Sequence, residues 1–216
     1  NPGEFFFEDA AAHPNYGFTQ FIVAHHSEEV LLGQILEQPS NELAYVRVEL
    51  PVGLAVNPGA TGRCPIEVFE ENASGCESYG AKVGESGVTA AVTSLIPIPP
   101  FPGITAVNVY NLIPKQGQAA RFGLELLGNE VFLEGDIASS GDYHEGFTIK
   151  VPHALPLETS SIPVLGGLLG KIVPGLILKN RLVFDGRAGD GTFLTTPSTC
   201  HGQAFTESGS EYSTLL

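Results

Sequence analysis

The sequence predicts an all-β protein: an antiparallel β-sandwich, jelly-roll-like in arrangement, with one or two short helices. Three observations carry that expectation. Short apolar runs alternate with polar residues at the strand period of two. Turn-rich spans separate the runs, and 26 Gly and 16 Pro break any long helix. Strands do not alternate with long helical segments, which argues against βαβ units. Hydrophobic residues make up 43% of the 216, enough for a folded core rather than a disordered chain. The chain reads as one domain over residues 1–216, with 1–12 as a candidate edge or exchange strand. It begins Asn1-Pro2-Gly3 and contains no Met, so Asn1 reads as a mature N-terminus or the edge of a fragment of a longer chain.

The strands follow in order. Residues 16–24 (YGFTQFIVA) are rich in aromatic and β-branched side chains. Residues 28–37 (EEVLLGQILE) suit a short helix or a strand, and Gly33 weakens the helix. Residues 42–50 alternate, with Ala44, Val46, Val48 and Leu50 on one face, until Pro51-Val52-Gly53 ends the run. Residues 88–95 and 105–113 are two more strands, divided by an extended linker containing Pro97, Pro99, Pro100 and Pro102. Residues 119–127 place Ala120, Phe122, Leu124 and Leu126 inward. Gly128-Asn129 turns the chain, and residues 130–138 return as a hairpin. Residues 145–151 set Phe147, Ile149 and Val151 against Thr148 and Lys150. Residues 176–184 and 192–195 complete the set.

Charge narrows the function classes. The formal net charge is −14, from 24 acids against 10 bases. So acidic a surface repels phosphate backbones and offers no polybasic anchor, so neither nucleic acid nor anionic lipid is an expected partner. Residues 86–114 are uncharged but interrupted by prolines, and residues 161–177 carry Lys171, two prolines and four glycines. Neither stretch suits a transmembrane helix.

Three cysteines are too few for a disulfide scaffold and lack zinc spacing. Cys64 and Cys76 flank a turn-rich stretch, and a bridge between them would constrain the unfolded chain by roughly 3 kcal/mol. Such a bridge implies an oxidising, extracellular or cell-surface location. Cys200 is then left unpaired.

Catalytic motifs are missing or incomplete. Gly84-Glu85-Ser86-Gly87-Val88 has valine where a nucleophile elbow needs its last glycine. Residues 166–171 (GGLLGK) are one residue short of a phosphate loop and precede Ile172 rather than Ser or Thr. His25-His26 is the most conspicuous metal candidate, but adjacent residues of a strand face opposite ways, and zinc would need a distant third ligand such as His144 or Glu145. His153 and His201 are isolated. Asp185 and Asp190 bound a glycine-rich loop with a candidate calcium role, although its spacing is that of a plain hairpin turn. No cofactor is therefore expected, with calcium as the alternative. Two of Glu134, Asp142 and Glu145 would make a glycosidase pair if they faced one another, but acids are too numerous for this to signify.

A longer pattern runs through the chain. It comprises His13-Pro14; Val46 to Pro51 with Gly53-Leu54 and Asn57-Pro58; Arg63-Cys64 and Cys76; Val109 to Pro114 with Ala119 to Gly123; Gly141-Asp142-Tyr143; Leu155-Pro156; and Phe193 to Cys200. Their order resembles large, secreted actinobacterial surface proteins built of repeated β modules, a group whose biochemical role is not established. The resemblance covers roughly residues 13–200. It implies secretion, β architecture, and a further cysteine downstream as the partner of Cys200. This chain departs from the pattern at His144, where the group has glycine after the tyrosine.

The expected function is a non-enzymatic extracellular module, structural or adhesive, that associates with other modules or copies of itself through strand edges. Phe5, Phe6 and Phe7 are the candidate assembly strand. The alternative is a carbohydrate-binding sandwich that stacks sugars on Tyr16, Tyr79, Tyr110 or Tyr143, a reading weakened by the absence of Trp. A glycan-active hydrolase ranks third.

Overall fold

A computed structural model describes residues 9–30, 34–41, 43–92, 105–126, 128–138, 144–151, 155–158 and 172–199. The Phe5–Phe7 strand, the proline linker after residue 92, Tyr143 and Cys200 lie outside the described residues.

The strands are β1 (Tyr16–Ile22), β2 (His25–Val30), β3 (Gln34–Pro39), β4 (Tyr45–Glu49), β5 (Ala55–Val56), β6 (Lys82–Val92), β7 (Thr105–Asn111), β8 (Ala120–Leu126), β9 (Asn129–Ala138), β10 (His144–Lys150), β11 (Leu155–Glu158), β12 (Ile172–Asp185), β13 (Arg187–Ala188), β14 (Gly191–Thr192) and β15 (Leu194–Thr195). A short helix α1 (Ile66–Glu71) and a 3-10 helix (Ala73–Tyr79) lie between β5 and β6. The alternative left open at 28–37 resolves as the β2–β3 hairpin, pairing Val30 with Gln34 and His25 with Pro39.

Nine strands form one antiparallel sheet in the order β1-β12-β6-β7-β8-β9-β10-β4, with β11 added on β12. The fold is thus all-β and sandwich-like, a large sheet curled over its own inner face. Its centre, β6 to β10, is a meander of consecutive strands rather than a jelly-roll crossing. At the β8–β9 hairpin, Gly128 takes φ 78° so that Leu126 pairs with Asn129.

Two bulges, at Lys82/Gly84 in β6 and at Ile177/Lys179 in β12, add the local twist that curls the sheet. At the first, β12 passes so near Gly84 that a Cβ there would collide with the carbonyl oxygen of Val183.

The core follows the alternation. Ala120, Phe122, Leu124 and Leu126 are all buried, as the pattern predicts. Phe122 is the hub, with ring centroids 5.3 Å from Phe184, 5.7 Å from Phe147 and 5.8 Å from Phe193. The short β5–β15 ladder closes one end by adding Val56 and Leu194. A smaller cluster of Val23, Leu43 and Val46 packs with Phe21, Ile149 and Val151, bringing the β1 and β4 ends of the curled sheet together.

A second cluster sits on the other face of the sheet. Cys64 and Cys76 are bonded, with Cα atoms 5.2 Å apart, and both are fully buried. The bridge ties α1 to the 3-10 helix and presses Phe69 against Tyr110 and Leu112. The cap explains why Arg121 and Gly123, which alternation assigns to the outer face, are buried as well.

Candidate functional site

Two features could meet a partner: the β1 edge and a cleft beside the disulfide cap. β1 pairs with β12 from Tyr16↔Asp185 to Ile22↔Lys179. Among the described residues no strand pairs with its other side. Its sequence, YGFTQFI, holds no charge and no proline. The period of two turns Phe21 inward and points Tyr16, Phe18 and Ile22 outward, where they are 44%, 55% and 52% exposed. The Arg181 guanidinium lies 4.9 Å from the Phe18 ring centroid, so one ring face is covered by a cation.

The strand at the opposite end of the sheet is built otherwise. Arg47 of β4 reaches Asp136 at 2.6 and 3.0 Å, Glu49 at 2.7 Å and the Thr148 hydroxyl at 3.0 Å. His144 Nε2 stands 3.1 Å from Glu49 Oε2. The bonds it donates to Asp136, then to Glu49, hold the Arg47 guanidinium still more firmly protonated than usual. Charge at an edge deters pairing with another strand. β4 carries that protection and β1 does not.

The cleft is an open hollow of about 440 Å³ where α1 meets the connection from β7 to β8. Ile66, Ile113 and Pro114 supply its apolar wall; Glu67 and Glu70 of α1 and Lys115 supply charge. Arg121 lines it from β8, only 5% exposed, with its guanidinium 4.3 Å from the Phe132 ring centroid. Its buried Nε has no hydrogen-bond acceptor.

His25 and His26 sit side by side on β2. His25 Nδ1 lies 3.0 Å from the Val23 carbonyl, and its Nε2 is 3.9 Å from Glu37. Asp185 ends β12, while Asp190 sits in the tight β13–β14 turn beside Gly189 at φ 59°. No group of three metal-ligating side chains occurs among the described residues.

Tyr16 and Tyr79 are exposed, but Tyr110 needs correction as a stacking platform. It is 3% exposed, held at its hydroxyl by Asn108 and Glu77, because the cap covers it. Glu134 and Glu145 are both described, and Glu145 spends an oxygen on the Val56 N–H at 3.0 Å. No described helix is long and apolar enough to cross a membrane.

Sequence reasoning missed Phe18, Ile22 and Arg121. The absence of charge in residues 16–22 was the readable signal for the first two. Arg121 had none, since its burial depends on a cap far from it in sequence. Comparison with protein families, curated proteins and solved structures finds no match.

Proposed function

We propose that this protein is a non-enzymatic association module of the cell exterior, which joins a second copy of itself by strand addition at β1. One observation carries the reading: a seven-residue edge strand without charge or proline that exposes Tyr16, Phe18 and Ile22. A neutral strand stands out in a chain of net charge −14, where most surfaces of two copies repel.

β1 is also self-complementary. An antiparallel two-fold pairing about Thr19 sets Tyr16 opposite Ile22, Phe18 opposite Gln20, and Gly17 opposite Phe21. Two sheets then continue as one, with the exposed apolar side chains covering each other across the junction. The bonded, buried Cys64–Cys76 pair supports an oxidising compartment.

Light scattering across concentration tests the reading. The wild-type chain dimerises, and Phe18→Lys with Ile22→Lys weakens the dimer by about tenfold or more without altering the circular dichroism spectrum. A wild type that stays monomeric at millimolar concentration overturns it.

A carbohydrate-binding module is the second reading, favoured by Tyr16 and Phe18 exposed two residues apart on one strand face. It ranks second because Arg181 already covers one face of Phe18. Retention on a polysaccharide column, lost in Tyr16→Ala, would reverse the order.

A further inference from the structure

The cleft beside the cap combines features that the β1 reading does not use. Arg121 is buried with an orphan Nε donor; Glu130 and Glu134 are near enough to feel its charge, but among the described residues no hydrogen bond or ion pair joins its guanidinium to a carboxylate. A buried donor without an acceptor is costly, and a ligand that supplies one removes that cost. Lys115 also lines the cleft; its exposed Nζ is 3.6 Å from Glu134.

Glu67 and Glu70 of α1 line the same cleft. Further acids stand near Glu70. The Glu130 carboxyl is pushed up by burial first and then by Glu70 and Glu125, with Arg121 pulling it the other way. Acids there repel a polyanion such as phosphate and favour an incoming ammonium. The cleft also offers the aliphatic surface of Ile66, Pro114 and Ile113, the last half exposed.

We infer that the cleft binds a small zwitterion, a short peptide with both termini free, by its carboxylate at Arg121 and its ammonium at Glu67 and Glu70. An aliphatic side chain rests on Ile66, Ile113 and Pro114. The volume of about 440 Å³ lies in the usual range for small-ligand sites and suits a dipeptide. The carboxylate accepts from the guanidinium, giving the charge-assisted bond that the folded chain lacks.

Titration of the ¹⁵N-labelled chain with glycyl-leucine is the test. The inference expects saturable shifts of the Ile113, Lys115 and Arg121 amides. The C-terminal amide and the N-acetyl derivative should each bind about tenfold more weakly or worse, because each removes one charged contact. Glu67→Gln with Glu70→Gln, on the exposed face of α1, should reproduce the loss seen with the N-acetyl peptide. Arg121→Gln should reproduce that of the amide, and if that variant does not fold, the comparison of ligands decides alone. No saturable shift with glycyl-leucine, or equal binding of all three peptides, overturns the inference.

Discussion

Phe69 of the disulfide cap lies so close over Gly123 of β8 that a Cβ on the glycine would stand 2.8 Å from Phe69 Cζ, and 2.7 Å from Leu112 Cδ1. The cap is therefore seated on bare backbone. Gly123→Ala should push Phe69 outward and destabilise the fold by about 1–3 kcal/mol, an overpacking effect. Denaturant unfolding measures it, and an unchanged midpoint would contradict the seating.

The bridge between Cys64 and Cys76 holds that cap together. Replacing both by Ala removes a constraint worth ~3 kcal/mol on the loop-entropy account and leaves two small voids. Amide exchange should show Phe69 and Tyr110 losing protection while Phe122 and Leu124, inside the curled sheet, keep theirs. Uniform loss across both clusters would show that cap and core unfold as one unit.

Glu145 gives a pH dependence of defined sign. Burial raises its pKa above the usual carboxylate value of 4.5, although the Val56 N–H pulls the other way. A carboxyl raised on folding favours the fold while protonated. That contribution is complete below the unfolded value and is lost as pH climbs through the raised one. Glu145→Gln keeps an acceptor for Val56 and cannot ionise. Melting curves should show the variant gaining on wild type from pH 4 to 7; a constant difference across that range contradicts the assignment.

Arg47 pins the β4 edge to β9 and β10. Arg47→Met should cost about 1 kcal/mol, since the pairs are partly exposed, and part of that cost should vanish in molar salt. A salt-independent loss would place the effect in packing of the side-chain stem instead.

The strands were legible where one face meets the core and the other meets water. Residues 120–126 show this best, because Phe122, Leu124 and Leu126 line one interior. Reading stopped where tertiary packing covered the second face. Arg121 and Gly123 look solvent-facing until the cap is in place. The cap itself was written as turns, although Phe69, Ala73 and Cys76 recur at helical spacing and Pro65 precedes the first turn. Residues 28–37 were ambiguous because the apolar run suits either period, although Gly33 weakens a helix, and only the pairing of Glu28 with Leu36 decides it. Exposure on β1 was also beyond periodicity. Alternation says that Tyr16, Phe18 and Ile22 share a face, not that the face is bare.

Strand addition at β1 is tested most directly by amide hydrogen exchange at residues 16–22, followed as the protein is concentrated. The β1 amides that point away from β12 should gain protection with concentration in the wild type, and not in Phe18→Lys with Ile22→Lys. Protection of β1 that is independent of concentration in both proteins would contradict association through this edge.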